Sequence, residues 1–307
     1  MLRVGVIGVG YLGQHHARIY AELDDVRMVA VADTDGERAG KVAVKYGCKA
    51  YTDYRKLLDE VDAVSIVTPT TLHYAVAMDC ISAGKDVLIE KPITATIDEA
   101  DRLIAASGET GVLIQVGHLE RFNPVLTALY PLLDAPEFIE AERLSPFQGR
   151  GVDVDITLDL MIHDIDVVLS IMDESVVSDV KAAGSKFITD TIDIAKVWLE
   201  FANGAHALLA ASRIASGKSR KLTIIQKNSY LVMDYQQMEI KKFSRRGDVI
   251  VSDSILVEKR EPLKEELKDF VRCVGNRSRP EVCAVKGRNA LKIALQAGAQ
   301  IKQGWQR

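Results

Sequence analysis

The sequence predicts two domains, an α/β domain built on a parallel sheet and an α+β domain with a mainly antiparallel sheet. Its 307 residues exceed the roughly 100 to 200 residues of one ordinary domain. Over residues 1–118, short β-branched runs alternate with helical segments, which is typical of parallel strands covered by helices. Over residues 119–307, stretches of period two and hairpin turns replace that alternation.

The first domain alternates strands with helices that are long enough for right-handed crossovers. Thr96 and Glu99 have the spacing of a capping box at the start of its last helix. The predicted strands are 4–7, 28–32, 63–67, 87–89 and 112–116, and the predicted helices are 14–22, 37–46, 72–83 and 97–107.

The second domain combines a long apolar helix with several alternating strands. Residues 157–172 carry an apolar stripe at helical spacing, and residues 192–201 alternate apolar with polar positions. Asn203–Gly204 then predicts a tight hairpin turn. The inward positions of the alternating strand would be Ala195, Val197, Leu199 and Phe201. Further predicted strands are 138–144, 205–212, 221–226, 230–233 and 239–243, and the closing helices are 263–274 and 287–302.

Composition excludes several classes of function. With 39 Lys and Arg against 43 Asp and Glu, the net charge of −4 disfavours a nucleic acid partner. No apolar run approaches the roughly 20 residues that span a bilayer, so a membrane partner is not expected. The first residues are strand-like, and the four cysteines form no Cys-x-x-Cys pair. These features predict a cytoplasmic protein with reduced thiols.

The sequence Gly8-Val-Gly10-Tyr11-Leu12-Gly13 follows the first strand and opens a helix, in the pattern of a dinucleotide-binding (Rossmann) loop. Gly8 permits the tight turn, Gly10 lets the backbone approach a pyrophosphate, and Gly13 lets the helix and strand pack closely. The helix N-terminus faces the anion.

Asp33 lies at the end of the next predicted strand, 20 residues beyond Gly13. Its carboxylate would accept hydrogen bonds from the adenosine ribose hydroxyls and repel a 2′-phosphate, so NAD is favoured over NADP. Asp35 and Arg38 weaken this preference, because an arginine there could reach a 2′-phosphate.

Two further segments follow strands that end at the same edge of the predicted sheet. They are Thr68, Pro69 and Thr70 with His73, and Glu90, Lys91 and Pro92. Ligands of open parallel sheets bind outside the carboxyl ends of the strands, so both segments should border the nicotinamide half of the cofactor. For His73, a capping or packing role is an equal alternative.

Glu90-Lys91-Pro92, placed between the glycine loop and a later Asp159-x-x-x-His163, resembles the motif of the glucose-fructose oxidoreductase, inositol dehydrogenase and rhizopine-catabolism (Gfo/Idh/MocA) family. The resemblance covers essentially the whole chain. It implies a Rossmann domain and an open-faced sheet domain, NAD(P)-dependent chemistry at a sugar or cyclitol carbon, and a homodimer or homotetramer. It also implies that Lys91, Asp159 and His163 are catalytic.

Residues 115–124 and 158–166 are similar to family members that oxidise UDP-N-acetylglucosamine at C3. Family members with other sugars share much of both stretches, so a free sugar, an inositol or another ring substrate remains an alternative. A dinucleotide-sensing regulator without turnover is a further alternative, because a fold does not guarantee chemistry. The intact set of Lys91, Asp159 and His163 argues against it.

Oxidation of a secondary alcohol needs a base for the hydroxyl proton and a donor beside the developing alkoxide. Asp159 and His163 stand four residues apart on one helix and therefore share a face. A histidine with its ordinary pKa near 6.5 suits the base, Asp159 could orient its ring, and Lys91 would bind the substrate oxygen. A solvated lysine and a surface Asp/His pair are the plainer interpretations.

Arg121 and Asn123 precede a proline-started helix, which predicts a place at the floor of the substrate site. They could bind substrate hydroxyls, phosphate or the nicotinamide ribose, and helix capping by Asn123 is the alternative. The basic run 241–247 could attract a diphosphate but is more typical of a solvated hairpin tip.

A metal site is not expected, although four candidate ligands lie close together in the sequence. They are Asp159, His163, Asp164 and Asp166. On a helix Asp164 points about 100° away from His163, so a shared site would need ligands from elsewhere.

Overall fold

The computed structural model describes residues 1–147, 149, 154–172 and 176–305, which form two compact units. One unit comprises residues 1–119 and 261–288, and the other comprises residues 120–260 and 289–307. The boundary after residue 119 lies one residue from the predicted boundary after residue 118. Residues 261–288, however, were predicted in the second domain and lie in the first unit. The reason is hydrophobic burial, because Leu267 and Phe270 of this segment are fully buried in the same core as the first strand.

The first unit is a parallel sheet with the strand order β3-β2-β1-β4-β5-β6 and helices in the crossovers. Its elements are β1 (Leu2–Ile7), α1 (Gly13–Glu22), β2 (Val26–Ala32), α2 (Gly36–Tyr46), β3 (Lys49–Tyr51), α3 (Arg55–Leu58), β4 (Ala63–Ile66), α4 (Thr70–Ser82), β5 (Asp86–Glu90), α5 (Ile97–Thr110) and β6 (Ile114–Gly117). The strand order reverses between β1 and β4, which is where open sheets of this kind bind ligands. The capping box of Thr96 and Glu99 is confirmed.

The second unit is a large sheet with the strand order β14-β13-β12-β11-β7-β10-β9-β8, in which only β7 and β10 pair in parallel among the described strands. Its elements are α6 (Pro124–Leu129), β7 (Pro136–Leu144), α7 (Ile162–Ile171), β8 (Val177–Ser185), β9 (Ile194–Phe201), β10 (His206–Ser212), β11 (Ser219–Gln226), β12 (Ser229–Asp234), β13 (Glu239–Arg246) and β14 (Val249–Ile255). Two later helices are α8 (Pro262–Asn276), which belongs to the first unit, and α9 (Ala284–Gly304), whose first turn is counted with the first unit and the remainder with the second.

One face of the large sheet packs against α6, α7 and α9 in a single hydrophobic core. The inward positions predicted for β9, from Ala195 to Phe201, are buried, so the alternation is confirmed. On the opposite face, Trp198 contacts the rings of Phe138 and His206.

The predicted helix 157–172 is divided in the structure. Its first turn, Thr157–Met161, is a π-helix, and α7 follows from Ile162. Among the residues that the structure describes, no helix combines the length and apolarity needed to cross a bilayer.

Candidate active site

The glycine loop between β1 and α1 has the geometry that a dinucleotide needs. Gly8 has a positive φ of 88°, and a Cβ added to it would lie 2.5 Å from the carbonyl oxygen of Val67. A Cβ added to Gly13 would lie 1.9 Å from the carbonyl oxygen of Gly8, so only glycine lets α1 start this close to the loop. A Cβ on Gly10 would meet nothing within 4 Å, which leaves the backbone there open to a pyrophosphate.

A cavity of about 660 Å³ opens beside this loop at the carboxyl ends of β1, β2 and β4. Its lining includes Gly8, Gly10, Asp33, Arg38, Thr68 and Pro69. The hydroxyl Oγ1 of Thr68 is buried there without a hydrogen-bond partner among the described residues. An open glycine backbone, an acid and an unused hydroxyl around one cavity fit the adenosine and pyrophosphate of NAD.

The Asp33 carboxylate is already held by several donors. Oδ2 accepts the backbone N–H of Val9 at 2.9 Å, and Oδ1 accepts that of Asp35 at 3.0 Å. Nη1 of Arg38 lies 3.2 Å from both oxygens, and Nη2 lies 3.1 Å from Asp35 Oδ2. Two carboxylates therefore engage the arginine that could otherwise reach a 2′-phosphate, and ribose hydroxyls would compete with Arg38 for Asp33.

Replacing Asp33 with serine should shift cofactor preference toward NADP. The change removes the charge that repels a 2′-phosphate and releases Arg38. We expect the ratio of kcat/KM for NADP to that for NAD to rise about 10- to 100-fold, equivalent to about 1.4–2.8 kcal/mol. Asp35→Ser is the matched control, because it removes a carboxylate beside Arg38 while keeping a capping hydroxyl on α2. If the NADP-to-NAD ratio of kcat/KM were equal in the two variants, Asp33 would not be the residue that recognises the adenosine ribose.

The turn 90–92, called the lysine turn below, follows β5 and carries Lys91 with a half-buried side chain. Its neighbours are buried. Glu90 contacts Nε2 of His16 through Oε1 at 3.1 Å, and its Oε2 accepts the backbone N–H of Lys91 at 3.2 Å. The ring of His73 lies between the carbonyl oxygens of Pro92 and Thr68, 2.8 Å from each. Burial lowers the pKa of His73 below its ordinary value, which favours the neutral ring at pH 7.

Asp159 and His163 lie in the second unit, Asp159 in the π-helical turn and His163 at the start of α7. Both side chains are half-buried. Asp155 anchors this turn, because its carbonyl accepts the N–H of Asp159 at 3.0 Å and its carboxylate accepts the N–H of Ile192 at 3.2 Å. Lys302 of α9 pairs with the same carboxylate at 2.6 Å. The anchoring fixes the start of the helix that carries the predicted base.

The loop after β8 is held by a second buried acid, Asp193. Its Oδ2 accepts backbone N–H groups of Phe187, Ile188 and Thr189, and its Oδ1 accepts the Thr189 hydroxyl. Burial alone would raise the pKa of Asp193, but these hydrogen bonds outweigh it and lower the pKa to about 2. The loop that donates to Asp155 through Ile192 is thereby ordered by an ionised carboxylate.

Arg143 of β7 forms a buried ion-pair cluster that sequence reasoning missed. Its Nε and Nη2 donate to Asp164 of α7 at 2.9 and 2.8 Å, and its Nη1 donates to Glu120 at 3.0 Å. Burial alone would lower the pKa of Arg143. The charges of Asp164 and Glu120 outweigh burial and raise the pKa above its ordinary value. The pairing ties α7 to the centre of the sheet.

Arg121 and Asn123 lie beside this cluster and are both buried. Nη1 of Arg121 is 3.7 Å from Asp166. Oδ1 of Asn123 accepts the N–H of Val125 and thus caps α6, while its amide nitrogen donates to Glu120. The capping alternative for Asn123 is therefore present in the structure, and contact with a substrate stays a prediction for both residues.

Replacing Arg143 with methionine should cost about 3–5 kcal/mol of unfolding free energy, because it leaves two buried carboxylates without their cation. Arg102→Met is the matched control, since Arg102 pairs with Asp98 at an exposed i,i+4 position worth less than about 1 kcal/mol. Urea unfolding midpoints of the two variants would measure the difference. A loss for Arg143→Met no larger than that of the control would contradict the cluster's role.

Two of the acidic side chains near His163 lie beside arginines. Asp164 is paired with Arg143 and Asp166 lies near Arg121, and the described ranges contain no group of three His, Cys, Asp or Glu side chains that could hold a metal ion. The four cysteines carry free thiols. The basic run 241–247 is mostly strand rather than hairpin tip, because β13 continues to Arg246 and only Gly247 and Asp248 turn.

A signal for the missed residues exists in the sequence. Ile139, Ala141 and Arg143 occupy successive inward positions of β7, so an arginine falls where an apolar residue is expected. Asp164 likewise interrupts an apolar helix. Complementary charges at two core positions are a recognisable pattern, although the sequence alone does not pair them.

Comparison with known proteins is consistent with this architecture. Residues 2–118 match the family model "Oxidoreductase family, NAD-binding Rossmann fold", and residues 137–232 match "GFO/IDH/MocA C-terminal domain". The UDP-N-acetylglucosamine 3-dehydrogenase of Acidithiobacillus ferrooxidans is 38% identical over 100% of this chain and 99% of its own length. A solved structure of that enzyme superposes with a TM-score of 0.93 and covers 98% of both chains.

A more distant relative has another substrate in its name. The myo-inositol 2-dehydrogenase of Thermotoga maritima is 27% identical over 98% of this chain and 97% of its own length. The chain belongs to the Gfo/Idh/MocA family and is an NAD-binding oxidoreductase.

Proposed function

We propose that the protein is a nucleotide-sugar dehydrogenase that oxidises the C3 hydroxyl of UDP-N-acetylglucosamine to a ketone. The observation that carries this proposal is the 38% identity to a UDP-N-acetylglucosamine 3-dehydrogenase over the full length of both proteins. Two inositol dehydrogenases that match over comparable lengths are less similar, at 27% and 26% identity.

The proposed reaction uses three side chains. His163 takes the proton of the substrate hydroxyl, while Asp159 orients the imidazole and stabilises the imidazolium that forms. Lys91 donates a hydrogen bond to the same oxygen as the ketone develops. NAD held by the glycine loop and Asp33 would supply the hydride acceptor for the carbinol carbon. The C–H and O–H bonds break and the carbonyl forms, so electrons and protons balance.

The cofactor would be held by the first unit. We assign the glycine loop, including Tyr11 and Leu12, to the pyrophosphate and Asp33 to the ribose. We assign the segment Thr68–Thr70 and the lysine turn to the nicotinamide half. His73 would support this half indirectly, because its ring contacts the carbonyls of Pro92 and Thr68. Arg121 and Asn123 are proposed to border the sugar. The open geometry of Gly10 and the unused hydroxyl of Thr68 support this assignment.

A panel of substrates tests the proposal. The purified protein is mixed with NAD and, separately, with UDP-N-acetylglucosamine, UDP-glucose, free N-acetylglucosamine and myo-inositol, and NADH absorbance is followed. We expect the highest kcat/KM with UDP-N-acetylglucosamine. Preference for myo-inositol would assign the chain to the inositol dehydrogenases. NAD binding without turnover of any compound would favour a sensor.

We also propose that the protein forms a homodimer or homotetramer through the face of the large sheet that α6, α7 and α9 leave uncovered. The partly exposed rings of Phe138 and Trp198 on that face support this interpretation. Sedimentation equilibrium of wild type and Trp198→Glu would test it, and a monomeric wild type would contradict it.

A further inference from the structure

We propose that two buried histidines, His16 and His73, are positioning residues that fix the lysine turn from its two ends and thereby place the Lys91 ammonium. This inference rests on the proposed function, because it requires that Lys91 act on the substrate oxygen. Neither histidine belongs to the proton-transfer set described above, and both lie within the first unit.

His16 contacts the Glu90 end of the lysine turn. Its ring is fully buried on α1, and Nε2 can donate to Glu90 Oε1 at 3.1 Å. The other carboxylate oxygen accepts the backbone N–H of Lys91. A Cβ added to Gly117 of β6 would lie 2.8 Å from that oxygen, so the carboxylate fills the space that this glycine leaves. Glu90 thus accepts hydrogen bonds from His16 and from the Lys91 backbone, and it packs closely against Gly117.

His73 contacts the Pro92 end of the lysine turn. Its ring is 1% exposed on the first turn of α4, with Nδ1 at 2.8 Å from the Pro92 carbonyl oxygen and Nε2 at 2.8 Å from that of Thr68. The neutral ring donates to one of these carbonyls, and a ring with both protons donates to both. Two charged groups affect the pKa of the ring: the Glu90 carboxylate raises it and the Lys91 ammonium lowers it. With its proton on Nδ1, the neutral ring donates to the Pro92 carbonyl of the lysine turn and packs against the segment after β4.

Backbone placement matters here because a lysine side chain is flexible. The reach of the ammonium depends on where the Cα is fixed, and a displacement of about 1 Å at a catalytic group can cost about 10²-fold in rate. Replacing a buried polar pair with well-packed apolar residues is often neutral for stability. A stabilising role alone would therefore not require polar histidines at both ends of this turn, whereas directional hydrogen bonds fix its geometry.

The test compares His16→Leu and His73→Leu with Tyr20→Phe. Tyr20 lies on the same helix as His16, and its buried hydroxyl bonds Ser65 Oγ at 2.8 Å, so its loss removes a similar hydrogen bond without touching the turn. The measurements are kcat on the substrate identified in the panel, the NAD dissociation constant and the melting temperature. We expect the leucine variants to lose about 10- to 100-fold in kcat, while NAD affinity changes little. Tyr20→Phe should keep the wild-type kcat.

Two amide variants test His16 if the leucine variant does not fold. His16→Gln keeps a donor within reach of Glu90 and should recover much of kcat, whereas the shorter His16→Asn should not. Wild-type kcat in the histidine variants, or the same loss in Tyr20→Phe, would overturn the inference. Lys91→Ala is measured in parallel: if it keeps full kcat, the proposed catalytic role of Lys91 fails. If it loses kcat while the histidine variants keep theirs, only the positioning role fails.

Discussion

Replacing Lys91 with alanine should lower kcat by about 10²- to 10³-fold, the usual effect of removing one donor that stabilises a developing oxyanion. The variant would lose the donor that we propose for the substrate oxygen, so the developing charge on that oxygen would no longer be stabilised. NAD binding should persist, because the glycine loop and the cavity beside Asp33 do not involve the lysine side chain. Steady-state kinetics together with an NAD titration would separate these effects.

Lys41→Ala provides the control for the loss of a positive charge from the first unit. Lys41 is exposed on α2 and pairs with Glu37 at an i,i+4 position on the surface. Its replacement should leave kcat within about 2-fold of wild type, as expected for a surface substitution. If Lys91→Ala retained turnover as well as this control does, Lys91 would have no part in the chemistry.

Replacing His163 with alanine should remove the acidic limb of the pH profile of kcat/KM, the region in which the base gains its neutral form, together with about 10²- to 10⁴-fold of the rate. Wild type should gain activity as the pH rises through this region, because only the neutral imidazole can accept the hydroxyl proton. The variant should show no such limb. A pH–rate profile of kcat/KM measures both changes.

Asp159→Asn should act on the same limb in a different way. A nearby carboxylate stabilises the imidazolium, so its removal should lower the apparent pKa and move the limb to lower pH. An unchanged limb in His163→Ala would assign the base to another group. An unchanged limb in Asp159→Asn alone would remove only the proposed orienting role of Asp159.

Local spacing explains why the nucleotide end could be predicted from the sequence. The glycines and Asp33 are set by turn geometry and by the length of one strand–helix–strand unit, so their spacing already contains the structure. The Asp159 and His163 pair is equally local. The π-helical first turn was not predictable, since its apolar pattern suits an α-helix as well.

Long-range pairing explains most of what the sequence did not predict. The bond between Arg143 and Asp164 joins a strand to a helix 21 residues away, and the contact of His16 with Glu90 spans 74 residues. Helix α8 returns to the first core from late in the chain. Strand β8 contains small and polar residues and forms a sheet edge, so it lacks the alternation that marks β9.

The most direct test of the proposed reaction follows the hydrogen that leaves C3 of the sugar. UDP-N-acetylglucosamine carrying deuterium at C3 is incubated with the protein and NAD, and the reduced cofactor is analysed by mass spectrometry. We expect deuterium in NADH, a 3-keto nucleotide sugar as product and a slower rate for the labelled substrate when hydride transfer limits turnover. NADH formed without deuterium would place oxidation at another carbon and contradict the proposed reaction.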